Sequence, residues 1–191
     1  MHSTPESLHQ AAANRLAELS GKTLSPKDRM AIPAQEMPTQ DPGVRSHNMN
    51  EVALGYSAEQ AQLEAKRCLQ CKNAPCVNGC PVRIRIPEFL KAAAEGRFEE
   101  AVAVIRENSL LPAVCGRVCP QEVQCQAPCT LGKALKDVDK AVSIGRVERY
   151  VSDLQRESGK QAVPGVKPAT GKKVAVIGSG PASITVAADV R

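Results

Sequence analysis

Cys68-Leu-Gln-Cys71-Lys-Asn-Ala-Pro-Cys76-Val-Asn-Gly-Cys80-Pro81 is the stretch on which the fold turns. A second set of cysteines follows at Cys115, Cys119-Pro120, Cys125 and Cys129, so all eight cysteines of the chain fall within 62 residues. Closely spaced thiols on one loop, with a more distant cysteine followed by proline, follow the ligand logic of cubane iron–sulfur clusters. Each iron of a cubane takes one terminal ligand, so short spacings grip adjacent irons and a remote residue closes the cage. The Cys-x-x-Cys opening and the two Cys-Pro pairs fit this logic, whereas the four-residue gap before Cys76 departs from the two-residue gap of the bacterial run. Structural zinc stays open at this point, because thiolates in fours suit a tetrahedral ion, although the second set has no Cys-x-x-Cys knuckle. Disulfides require an oxidising compartment, and single core cysteines do not gather in this way.

Working outward, the composition is that of a globular protein, with 42% hydrophobic and 24% charged residues. Only 2% of residues are aromatic and none is Trp, so a core of Ala, Val, Leu and Ile buries little area per residue and part of the stability is expected from a bound cofactor. The first twenty residues contain no apolar signal-like segment, and no run approaches the roughly 20 apolar residues needed to cross a bilayer. The expected location is the cytoplasm, with no membrane association. The net charge of +5 is spread along the chain without the basic face and interleaved aromatic rings of a nucleic-acid binder, so no nucleic-acid partner is expected.

Residues 1–50 read as an N-terminal helix, with Leu8, Ala12, Leu16 and Leu19 at helical spacing, running into an extended arm rich in proline at Pro26, Pro33, Pro38 and Pro42. Ser57-Ala-Glu-Gln60 has the form of a capping box and starts a helix that delivers Cys68 at its end. Between the cysteine sets, Pro87 to Glu95 and Phe98 to Asn108 read as short helices joined at Gly96, with Phe89, Leu90, Ala93, Val102 and Ile105 buried. Ile144, Val147, Val151 and Leu154 mark another helix, followed by a Gly/Pro/Lys linker over residues 158–171.

The spacing Cys68-x2-Cys-x4-Cys-x3-Cys80-Pro, followed by Cys115-Gly-Arg-Val-Cys-Pro120 and Cys125-x3-Cys129, closely resembles the N-terminal domain of the small (beta) subunit of NADPH-dependent glutamate synthase. The same domain occurs in the ferredoxin-NADP transhydrogenase subunit and in dihydropyrimidine dehydrogenase. The resemblance covers roughly residues 25–191. It implies a mainly α-helical domain with two [4Fe-4S] clusters, ahead of FAD- and NADPH-binding domains, with electrons running from NADPH through FAD to the clusters. By position it implies Cys68, Cys71, Cys76 and Cys129 as ligands of one cluster, and Cys80, Cys119 and Cys125 as three ligands of the other. The eighth ligand in this family need not be cysteine, and a Glu or Gln follows the Ile-Gly pair; here that residue is Glu148, with Cys115 expected as a buried non-ligand. The opposite assignment, in which Cys115 supplies the eighth thiolate, stays open. Lys72, Arg83, Arg85 and Arg117 lie near these ligands in sequence and are expected either to offset cluster charge or to form a solvated face.

Lys173 to Ile177 reads as a buried strand running into Gly178-Ser-Gly180-Pro-Ala-Ser183 and a helix, the context of a dinucleotide fingerprint. Gly178, Gly180, Pro181 and Ala182 are the candidate cofactor-binding positions, and the resemblance implies FAD. The chain stops at Arg191, before the acidic ribose partner expected about 20 residues on. FAD binding is therefore expected only if a missing domain is supplied, and this chain alone is not expected to oxidise NADPH.

The resulting expectation is an arm over residues 1–50, a helical double-cluster domain and linker over 51–170, and the first β-α unit of an incomplete Rossmann-like FAD domain over 171–191. The expected role is electron transfer within an NADPH/FAD-dependent oxidoreductase, partnered by a larger subunit or by the missing flavin domains. The alternative is a non-enzymatic zinc- or cluster-binding remnant that docks a partner subunit.

Overall fold

The computed structural model describes residues 3–159 and 165–190. Part of the expected linker, residues 160–164, lies outside the described residues, as do the two N-terminal residues and Arg191. Ser57 opens the central helix as its sequence requires: its hydroxyl accepts from the Gln60 N–H at 3.2 Å, and Gln60 Oε1 accepts from the Ser57 N–H at 3.2 Å. Two of the orphan donors at this helix start are thereby satisfied.

In chain order the helices are α1 (Pro5–Leu19), α2 (Pro26–Met30), α3 (Pro42–Arg45), α4 (Ala58–Lys66), α5 (Pro75–Gly79), α6 (Ile86–Ala94), α7 (Phe98–Arg106), α8 (Pro112–Val118), α9 (Thr130–Ala134), α10 (Ile144–Ser158) and α11 (Pro181–Asp189). Among the described residues there is no regular strand, only one antiparallel bridge between Thr39 and Ala53. The proline-rich arm is less extended than expected. Ser25 and Asp28 form a capping box and Asp41 accepts from two backbone N–H groups, so Pro26 and Pro42 act as first-turn residues that start α2 and α3.

Helix α6 packs on α4 and α7, α10 lies across α8, α7, α4 and α6, and α1 covers α4. The core gathers Phe89 and Leu90 of α6, Val102 and Ile105 of α7, and Ile144, Val147 and Val151 of α10. Full burial of each such side chain stabilises by about 1.5–3 kcal/mol. Phe98 and Tyr150 meet edge to face, with centroids 5.0 Å apart, and join α7 to α10. The turn between α6 and α7 runs through Gly96 at φ +76°, a conformation that disfavours other residues. Leu154, expected on the buried face of α10, is 39% exposed; the stripe instead runs through Ile144, Val147, Glu148 and Val151, with a carboxylate in an apolar position.

A buried ion pair ties these layers together. Glu64 and Arg67 of the α4 end are 0% and 1% exposed and meet at 2.6 Å. Arg67 also donates to the carbonyls of Ile32, Ala141 and Lys140, and Glu64 accepts from the backbone N–H groups of Gln35 and Ser143. One pair thus fixes the N-terminal arm and the entry to α10 against α4.

The C-terminal segment departs from expectation. Helix α11 forms, with Gly180 at its N-cap and Pro181 in its first turn, but no strand forms over Lys173–Ile177. A strand is held by ladder bonds to a neighbour, and none of the described residues pairs there. Ile177 is 95% exposed and α11 has no buried residue.

Candidate metal centre

Three connections after helices bring the cysteines inward. Helix α4 ends at Arg67 and hands over to Cys68; α5 carries Cys76 and is followed by Cys80; α8 carries Cys115 and is followed by Cys119. All eight are free thiols in the structure.

The side chains sort into two groups. In the first, Cys68 interacts electrostatically with Cys71 and Cys129, and Cys76 with Cys68 and Cys129. The Cys71 thiol also donates to the Thr130 hydroxyl at 3.3 Å, which ties the first loop to the residue after Cys129. In the second group, Cys119 interacts with Cys115, Glu148 and Cys80, and Cys125 with Cys80 and Glu148. A further interaction between Cys125 and Cys76 places the two groups side by side. Cys129, last in the chain, thus joins the earliest cysteines, and Cys80 joins the later ones. Among the described residues, no three His, Cys, Asp or Glu side chains converge as ligands of a single metal ion.

The second group surrounds a cavity of about 90 Å³ lined by Cys80, Cys115, Cys119, Cys125 and Glu148. Ile84, Ile86, Phe89 and Ile144 add an apolar wall, and Gln121 and Gln124 also line it. Glu148 is 6% exposed, and its Oε1 has no hydrogen-bond partner. A buried carboxylate oxygen without a partner is costly, and burial pushes this carboxyl up to about 8. Burial likewise pushes the Cys76 and Cys125 thiols up to about 12, and those of Cys68 and Cys119 to about 11. Side chains so disfavoured as bare anions suit a positively charged metal group, which would neutralise them and release thiol protons on binding. The donor set and the orphaned oxygen therefore fit an iron–sulfur cluster.

Close packing of α8 on α10 sets the distance across this cavity. A Cβ on Gly116 would lie 2.8 Å from the Arg149 N and the Gly145 carbonyl oxygen. Only a glycine lets the α8 backbone approach the turn of α10 that bears Glu148. On the outer side Arg117 clamps the same helices, reaching Glu51 at 2.8 Å and Asp153 at 2.7 Å.

Cys115, expected to be buried, is half-buried and lines the cavity; its spacing of four residues before Cys119, which caps the same helix, is the signal that brings both to one side. The basic residues near the ligands face outward: Arg85 pairs with Glu88 and Glu107, Arg117 with Glu51 and Asp153, and Arg83 donates to Asn78. Gly178, Gly180, Pro181 and Ala182 are exposed; Gly178 adopts φ +120°, and the Ser183 hydroxyl donates to the Ile177 carbonyl at 3.4 Å.

Residues 45–160 match the family described as dihydropyrimidine dehydrogenase domain II, 4Fe-4S cluster. The chain is 45% identical over 145 residues to the glutamate synthase [NADPH] small chain of Escherichia coli K12, a match over 75% of this chain and 30% of that protein. It is 38% identical over 164 residues to the glutamate synthase [NADPH] small chain of Azospirillum brasilense, over 83% of this chain and 32% of the relative. It is also 39% identical over 137 residues to the NAD-dependent dihydropyrimidine dehydrogenase subunit PreT of Escherichia coli K12, over 71% and 32%. The chain spans about a third of the length of the curated relatives it matches.

Proposed function

This chain belongs to the dihydropyrimidine dehydrogenase domain II, 4Fe-4S cluster family, and on that premise we propose that it is an electron-transfer domain holding two [4Fe-4S] clusters. Cys68, Cys71, Cys76 and Cys129 hold the first; Cys80, Cys119, Cys125 and Glu148 hold the second. The observation that carries the reading is the unpartnered oxygen of Glu148, buried in one cavity with Cys80, Cys119 and Cys125. When bound, each cluster supplies a one-electron carrier whose potential depends on its ligands, hydrogen bonds and exposure. The protein's part is to hold four donors at fixed separation for each cage, to line the second with Ile84, Ile86, Phe89 and Ile144, and to keep the two groups of thiols within electrostatic reach of each other at Cys76 and Cys125. Glu148 gives the second cage a harder donor than the all-thiolate first one, so the two are electronically distinct.

The relatives named above are a small chain and an enzyme subunit, and this chain is proposed to act likewise within a larger NADPH- and FAD-dependent oxidoreductase. Residues 1–50 serve as the arm, 51–170 as the double-cluster domain and linker, and 171–191 as the first β-α unit of a Rossmann-like flavin domain. In that setting Lys173–Ile177 becomes a strand when other strands flank it, and Gly178, Gly180, Pro181 and Ala182 meet the FAD pyrophosphate at the N-terminus of α11. No helix among the described residues is long and apolar enough to cross a membrane. The cytoplasm is the proposed setting.

Anaerobic reductive titration, followed by absorbance and EPR, tests the reading. The wild-type protein is expected to accept about two electrons per chain, and Cys76→Ala about one, with the second cage's signal retained. A wild-type protein that takes up no electrons contradicts it.

A further inference from the structure

The second cage contains one more donor than a cubane has irons. Cys80, Cys115, Cys119, Cys125 and Glu148 all line the same cavity. Cys115 lies on α8 one turn before Cys119, and the Cys119 N–H donates to the Cys115 carbonyl at 3.1 Å. Among the described residues the Cys115 thiol meets the Ser109 hydroxyl at 3.8 Å, a weak contact. Independently, Glu148 is 94% buried, lines that cavity, and has no protein partner for its Oε1.

Resting on the two-cluster reading, we propose that Cys115 is a reserve ligand for the iron otherwise held by Glu148. In the exchange, the iron–oxygen bond to Glu148 breaks, an iron–sulfur bond to Cys115 forms, and the thiol proton passes to the released carboxylate. No electron moves and the net charge of the cage is conserved. Cys115 lies on α8 and Cys119 caps that helix, while Gly116 seats α8 against α10 beside Glu148, so both thiols and the carboxylate reach the one cavity. The site thus has two ligand sets, three thiolates with a carboxylate or four thiolates, and these differ in donor softness and hence in potential.

The test compares wild type, Glu148→Ala, Cys115→Ala and the double variant after anaerobic reconstitution with iron and sulfide. Iron and sulfide are counted, EPR is recorded in oxidised and reduced states, and circular dichroism verifies folding. Wild type and both single variants are expected to hold about eight irons per chain, with a shifted reduced-state signal in Glu148→Ala. The double variant is expected to hold about seven, with a three-iron signal when oxidised. If Glu148→Ala alone falls to the iron content of the double variant, the reserve role is overturned. If Cys115→Ala loses iron while Glu148→Ala keeps it, Cys115 is the resident ligand and the proposal also fails. A wild-type protein that binds no iron defeats the two-cluster reading itself, a result distinct from either pattern among the variants.

Discussion

Arg67→Met is expected to destabilise the protein by roughly 3–5 kcal/mol, the cost of breaking a fully buried ion pair by removing one partner. The substitution keeps the long side chain but leaves Glu64 charged, buried and facing apolar surroundings, with only the Gln35 and Ser143 N–H groups still donating to it. It also orphans the carbonyls of Ile32, Lys140 and Ala141, which Arg67 now satisfies. For a chain of this size the loss corresponds to a fall of about 10 °C in melting temperature. Denaturant unfolding under anaerobic conditions measures it, and Glu64→Gln combined with Arg67→Met should recover part of the loss, because the uncompensated charge is gone. A single-variant change below about 1 kcal/mol would show that the pair contributes no more than an exposed one. Since Lys140 to Ser143 lead directly into the helix that bears Glu148, iron retention in the second cage should fall as well.

Gly116→Leu should empty the second cage and spare the first. The new Cβ would lie 2.8 Å from backbone atoms of Gly145 and Arg149, which cannot rotate aside as a side chain would, so α8 and α10 must separate. Overpacking of this kind costs about 1–3 kcal/mol, and here it acts on the distance between Cys119 and Glu148. Cys68, Cys71, Cys76 and Cys129 sit on other elements, so the variant should retain about four irons per chain instead of about eight. Retention of the full complement would mean that the α8–α10 approach does not set the cage.

The parts of the fold legible in sequence were those set by local chemistry. The Ser57–Gln60 capping box, the helices carrying Phe89 and Val102, and the exit of α4 into Cys68 follow from residues within a few positions of one another. The first turns of α2 and α3 are less legible, because proline favours an extended arm as readily as a first helical turn, and it is Ser25 and Asp41 that cap the helices proline then starts. The Glu64–Arg67 network was invisible for a different reason: its partners lie 29 to 79 residues away in sequence, and a Glu-x-x-Arg pair on a helix normally belongs to solvent. In the site, the cysteine spacing marked the candidate donors, and which thiol lies near which depends on the packing of helices far apart in sequence. The place of Cys115 beside Glu148 depends on the glycine contact between two helices, which spacing within either helix does not encode. The strand over Lys173–Ile177 needs partners that the described residues do not provide, so its apolar run alone produced an expectation without a ladder.

Iron and acid-labile sulfide analysis of the anaerobically purified protein, read together with EPR after dithionite reduction, bears most directly on the two-cluster assignment. About eight irons and eight sulfides per chain, with interacting signals from two reduced clusters, is the predicted result. Stoichiometric zinc without sulfide would contradict it.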